Sequence, residues 1–234
     1  MWDLLSFGDQ GWGDDLMLGA LLTLQLAFAS LGLGLAVGLA TAGMKLSGRR
    51  VLVGLANGFT TAIRGIPDLL TLFLIYFGSQ FAVQAVLSLV GYEGQVEVNG
   101  FWAGVLALSL VFGGYSSEVF RGAFLAIPKG QVEAAKAVGM APRLIFRRIL
   151  LPQVWRYALP GLGNLWLSLI KDTSLISVIA FDELLRKTFI AVGITKQPFL
   201  FYGVACLIYL AITTVSTGVL MRLEAWSQRG VRRA

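Results

Sequence analysis

"LMLGALLTLQLAFASLGLGLAVGLATAGM", Leu16 to Met44, runs 29 residues without a charged side chain. A helix needs about 20 mostly apolar residues to cross the ~30 Å hydrocarbon core of a bilayer. This stretch is long enough alone, and Gln197–Met221 repeats the pattern over 25 residues. Working outward, 56% of the 234 residues are hydrophobic and only 14% are charged, where a soluble domain carries about 25% charge. The reading is an all-α polytopic membrane protein, one transmembrane domain over residues 1–234. A spanning β-barrel would show short segments of alternating polarity instead. Within the opening stretch, Gly34 and Gly38 are spaced for close helix packing. They lie in mid-membrane with no strand before them, which is not the setting of a nucleotide-binding fingerprint.

Composition closes off several chemistries. There is no histidine, which removes histidine acid–base catalysis and most zinc sites. The single Cys206 allows no internal disulfide and reads as a small buried hydrophobe. No GxxxxGK[ST] pattern occurs, so the chain shows no means of binding ATP itself. The first fifteen residues hold Asp3, Asp9, Asp14 and Asp15 and no Lys or Arg, unlike a secretory signal.

Five spans are expected: about 16–44, one within 51–90, about 101–127, about 157–180 and about 198–221. In the second, 69–90 is long enough to cross, and 51–63 reads as the entry to the same helix. The net charge of +6 does not point to nucleic acid, because the basic residues sit in short loops between spans. Three Lys/Arg fall in 45–50, seven in 121–156 and four in 222–234, whereas the N-terminus and the acidic turn 91–100 have none. Positive loops stay inside, so the N-terminus is expected outside and the C-terminus inside. Residues 181–197 are expected as an outer loop.

Polar groups inside spans are costly and usually face a pathway or a partner helix. Glu118 and Arg121 share one face of the third span. Lys171, Asp172, Thr173 and Ser174 lie within the fourth, with Lys171 and Asp172 on different faces. Arg64, Gly65, Pro67 and Asp68 interrupt the second, either lining a cavity or forming a helix-entry turn. From residue types alone these groups fit contacts to a substrate carrying ammonium and carboxylate, or structural ion pairs.

The stretch "KGQVEAAKAVGMAPRLIFRRILLPQ", Lys129–Gln153, sits in the largest inside loop, about 128–156, with five basic residues and one acidic. It reads as two short helices: Gly130–Val138, ended by Gly139, and a second begun by Pro142. Arg143, Arg147 and Arg148 are spaced along one exposed side of the second, and Leu144, Ile145 and Ile149 along an apolar one. Here the chain resembles a known family. Glu133-Ala134-Ala135, then Gly139 after three intervening residues, and Ile149-Leu150-Leu151-Pro152 after nine more match the EAA-loop signature of ABC importer permeases with every spacing kept. "IRGIPDLLTLFLIYFG" (Ile63–Gly78), "GGYSSEVFRGAFLAIPKGQVEAA" (Gly113–Ala135) and "RYALPGLGN" (Arg156–Asn164) extend the likeness to polar amino acid permeases, above all the Q-type subunit of histidine, basic amino acid and opine systems.

That resemblance implies a type I importer fold, an inner-membrane location and no enzymatic activity in this chain. It implies a second permease subunit (M-type) or a homologous copy, two cytoplasmic ATPase subunits that bind ATP and Mg, and a periplasmic substrate-binding protein. Glu133, Ala134, Ala135, Gly139, Ile149 and Pro152 would then couple to the ATPases. Arg64, Asp68, Glu118, Lys171, Asp172, Thr173 and Ser174 stand as candidates for the substrate pathway. The rival reading is an ion-coupled secondary transporter or channel using Glu118 and Asp172. A membrane scaffold would explain the loop but give the intramembrane charges no role.

Overall fold

The computed structural model describes residues 2–8, 11–89, 91–92, 94, 99–179 and 181–229. Most of the acidic turn between Gly91 and Gly100 lies outside the described residues, as do Asp9, Arg232 and Arg233. Every regular element among the described residues is helical. Helix α1 is Gly13–Leu46, α2 Arg50–Gly65, α3 Asp68–Leu89 and α4 Gly100–Leu125. Then come α5 (Lys129–Ala137), α6 (Pro142–Ile145), α7 (Leu151–Asp172), α8 (Leu184–Thr195) and α9 (Pro198–Ser227). A π-helical turn, Phe146–Leu150, joins α6 to α7, and a 3-10 segment, Thr173–Ile179, follows α7.

Among the described residues four helices, α1, α3, α4 and α9, are long and apolar enough to cross a membrane. The fourth expected span falls on α7, whose 22 residues rise about 33 Å but include Arg156, Lys171 and Asp172. Its α-helix begins earlier than expected and ends at Asp172, the remainder of the segment tightening to 3-10 geometry.

Two local readings change. Residues 51–63 are not the entry to α3 but most of a separate helix, α2, packed against α1 and α4. Pro67 has no N–H to give and excludes helical geometry before it, so Ile66 is extended (φ −102°, ψ 137°) and the chain turns. Residues 181–197 are not an open loop, because α8 occupies most of them. Glu183 caps that helix, accepting from the amides of Leu185 (3.0 Å) and Arg186 (2.8 Å). The same carboxylate accepts from Thr23 of α1 (3.3 Å) and Tyr209 of α9 (3.1 Å). A buried carboxylate needs such partners, and meeting that need fastens α8 between two spans. Cys206 is exposed on α9 rather than buried.

Helix α4 is the axis of the bundle, with α1, α2, α3 and α7 around it. Its closest neighbour is α1, and Gly34 and Gly38 explain the approach. A Cβ at Gly34 would stand 2.8 Å from the Phe112 ring, and one at Gly38 would collide with the Ser116 hydroxyl. Leu26, Leu72, Leu108, Phe112, Leu169 and Ile176 fill the centre. Ala42, Phe120, Val154 and Ala158 close the end nearest the Lys129–Gln153 stretch, and Leu16, Leu184 and Phe201 close the other.

Candidate functional site

The break at Pro67 and the end of α7 face the same space. A cleft of about 250 Å³ is lined by Asp68 at the start of α3, Phe112 and Tyr115 of α4, and Leu165, Ser168, Leu169 and Asp172 of α7. Asp68 occupies the first turn of its helix, where the dipole favours a negative charge. Arg64, on the other side of the break, lies over the Tyr115 ring, 5.8 Å from its centroid. Among the described residues neither Asp68 nor Asp172 makes an ion pair. A small cavity with two unpaired carboxylates attracts a cation of small-molecule size, and a guanidinium beside it suits a carboxylate on the same molecule.

The other candidates divide. Lys171 is exposed on a different face from Asp172, as adjacent helical positions must be. The Thr173 hydroxyl donates to the Ile170 carbonyl and that of Ser174 to the Lys171 carbonyl, so both serve the turn rather than the cleft. Glu118 does not line the cleft. Its carboxylate is ion-paired with Lys45 of α1 and with Arg121 (2.8 Å), and Lys45 also donates to Thr60 of α2 at 2.6 Å. That cluster ties α1, α2 and α4 together. Tyr115 and Ser168 were not singled out from sequence. Ser168 is one helical turn before Asp172, a spacing that would have marked it.

The Lys129–Gln153 stretch folds as two helices meeting at a defined corner. The amide of Gly139 donates to the Lys136 carbonyl and that of Met140 to the Ala135 carbonyl, both at 3.0 Å. These bonds are the pair that closes a Schellman motif. The motif requires a left-handed residue, and Gly139 supplies it at φ +77°. Pro142 then opens α6, with its missing N–H at a position that needs none. Of the expected apolar side, Ile145 is buried and Leu144 exposed; Ala135, named for coupling, is itself buried against the rest of the chain. Glu133, Ala134, Val138, Gly139, Arg143, Arg147, Arg148 and Pro152 are exposed, while Ile149 is half-buried. Gln153 of α7 donates to Gln131 of α5 at 2.6 Å, holding the first helix to the base of α7.

Residues 16–233 match the family model described as binding-protein-dependent transport system inner membrane component. The chain belongs to this family. It is similar to a nopaline transport system permease protein of Agrobacterium fabrum, at 46% identity over 98% of each chain. It is also 43% identical to the histidine/lysine/arginine/ornithine transport system permease protein of Escherichia coli, over 96% of this chain and 98% of that one. Among solved structures, an amino acid ABC transporter crystallised with histidines matches with a TM-score of 0.77 at 31% identity, over 92% of this chain and 94% of that one. The methionine transporter MetNI, at 18% identity and a TM-score of 0.69, shares the fold. The chain is thus an inner-membrane permease subunit of the ABC importer class and not itself an enzyme. The all-α fold expected from the apolar runs, and the type I importer fold that the resemblance implied, are the ones found.

Proposed function

We propose that this permease subunit admits cationic amino acids or opines, gripping them in the cleft between Asp68 and Asp172. The observation that carries the reading is the convergence of these two unpaired carboxylates on one small cavity, with Arg64 beside Tyr115 at its edge. A substrate with a basic side chain and an α-carboxylate answers both charges. The names of the nopaline and histidine/lysine/arginine/ornithine relatives support the same class of cargo.

The chain crosses the membrane five times, on α1, α3, α4, α7 with its 3-10 extension, and α9, with the N-terminus outside and the C-terminus inside. The lysines and arginines of 45–50, 121–156 and 222–234 support that orientation. A second permease subunit, M-type or a homologous copy, covers the open side of the cleft, because Asp68, Asp172 and the exposed Arg64 and Lys171 are too costly to leave against hydrocarbon. Two cytoplasmic ATPase subunits, holding ATP and Mg, dock on the loop that carries Glu133, Ala134, Ala135, Gly139, Ile149 and Pro152. A periplasmic binding protein delivers the substrate. Nucleotide-driven closure of the ATPases moves the loop, and the loop reorients the spans in alternating access.

The test is uptake into proteoliposomes by the assembled complex, comparing arginine, lysine, histidine and octopine with neutral glutamine. ATP-dependent uptake of the cations that Asp172→Asn weakens supports the reading. Equal uptake of glutamine, or cation uptake indifferent to Asp172→Asn, would overturn the cargo assignment.

A further inference from the structure

A second concavity, of about 630 Å³, runs between α1, α7 and α9. Its lining is apolar, with Ser216 contributing the one hydroxyl. It uses a different face of α7 from the cleft: Trp155, Leu159 and Trp166 rather than Leu165, Ser168 and Asp172. It extends from Leu24 to Leu35 along α1, from Trp155 to Trp166 along α7 and from Ala211 to Leu223 along α9. Each of these lengths is about 17 Å of helix, close to half the ~30 Å hydrocarbon core. The groove is one leaflet deep.

One end of it is marked. Arg156 follows Trp155, and its Nε donates to the Ser227 carbonyl at 2.7 Å, which lays the guanidinium across from α7 to the last turn of α9. Arg222 precedes Leu223 and is exposed. Neither arginine makes an ion pair among the described residues, and Glu224 is the one acid in the last turns of α9. Trp155 and Trp226, both exposed, stand at this end, and tryptophan gathers where hydrocarbon meets headgroups. An apolar trough of single-leaflet depth, opening on two guanidiniums that carry no ion pair among the described residues (Arg156 committing only its Nε, to the Ser227 carbonyl) and on an aromatic belt, has the outline of one lipid chain and its phosphate.

We propose that this groove binds an anionic phospholipid, one acyl chain lying between α1 and α9 and the phosphate held by Arg156 and Arg222. That the lipid comes from the inner leaflet rests on the orientation proposed above; the site itself does not. Such a lipid braces α7 along a face other than the one that lines the cleft, so its occupancy bears on the helix that carries Asp172.

The test uses the assembled transporter complex, solubilised from vesicles of equal phosphatidylglycerol and phosphatidylethanolamine, with retained lipid counted by native mass spectrometry. Phosphatidylglycerol is expected to be retained over phosphatidylethanolamine. Arg222→Ala and Arg156→Ala should each lower its retention about fivefold, which is what ~1 kcal/mol per basic residue near an anionic surface amounts to. Arg222→Lys should keep most of it. Ala211→Trp, which fills the groove from an exposed position, should abolish it while the complex stays intact. Equal retention of both lipids, or retention indifferent to Ala211→Trp, would overturn the proposal. So would a photoreactive group at Val215 that links to the second permease subunit instead of to lipid.

Discussion

Gly139→Ala isolates what one backbone angle contributes to coupling. A Cβ at this position would meet nothing within 4 Å, so the substitution introduces no clash. The whole cost is conformational: at φ +77° an L-residue with a Cβ loses roughly 1–2 kcal/mol relative to glycine. That is a factor of about 5–30 against the Schellman corner. The bonds from Gly139 to Lys136 and from Met140 to Ala135 are released in that fraction of molecules, and α5 frays at its C-terminal end. If α5 is the element that meets the ATPase, co-purification of the ATPase subunit and ATP-dependent uptake fall together, by less than the full factor because docking itself favours the folded corner. Gly139→Asn is the control, since asparagine tolerates the left-handed region. It should recover most of the loss. Hydrogen exchange of the 135–140 amides in the isolated subunit gives the conformational term directly. Faster exchange in the alanine variant with unchanged assembly and uptake would refute the docking role. Unchanged exchange would refute the account of the corner.

Three further outcomes follow from the geometry. Asp172→Asn removes one of two carboxylates from the cleft; a charged hydrogen bond is worth ~1.5–3 kcal/mol, so KM for arginine should rise at least about tenfold in an uptake assay, and an unchanged KM would remove Asp172 from the site. Gly38→Val drives a side chain into Ser116 at the α1–α4 crossing, and overpacking of this kind costs about 1–3 kcal/mol; thermal unfolding in detergent should show a lower midpoint, whereas Gly43→Val, with open space around it, should not. Lys45→Met leaves Glu118 with Arg121 alone, and because Glu118 keeps that partner and some exposure the loss should fall below the ~3–5 kcal/mol of a fully buried broken pair. Adding Glu118→Gln should recover part of the Lys45→Met loss, measured in the same thermal assay.

Much of this was legible in the residues because the bilayer makes strict demands. Uncharged runs of 25 and 29 residues can be little but spans, and glycine and proline punctuate the loop where backbone angles require them. Other parts were hidden for physical reasons. Residues 51–63 and 184–195 are short, mixed stretches whose helicity depends on neighbours: α2 on α1 and α4, α8 on the Glu183 cap and its bonds to Thr23 and Tyr209. Residues 50–65 do carry a helical apolar period, with Ala56, Thr60 and Ile63 on the buried side, which could have marked α2 as a helix of its own; nothing in either stretch names the helices it packs against. Glu118 looked like a substrate contact because its partner Lys45 is 73 positions away, and sequence reading paired it only with Arg121. Asp68 and Asp172 lie in different helices, more than 100 positions apart, and the turn at Pro67 starts α3 where its first residue lines the same cavity as Asp172. Cys206 misled because an apolar run in a membrane chain is as often an outer face as a core.

From Pro142 the backbone is helical without interruption through the π-turn to Asp172. Thirty residue steps make a path of about 45 Å, with the Gly139 corner just before one end and a cleft carboxylate at the other. If the loop docks an ATPase as proposed, such a path can act as a lever arm, with Pro160 inside α7 as its weakest point besides the π-turn. A tilt of only ~10° about its loop end would carry the far end through roughly 8 Å, more than the reach of a hydrogen bond, given that length. No relay of side chains is then needed to tell the cleft what the loop has done. Under the docking proposed above the signal would be an angle, and any substitution that softens the π-turn should blunt it without touching either end.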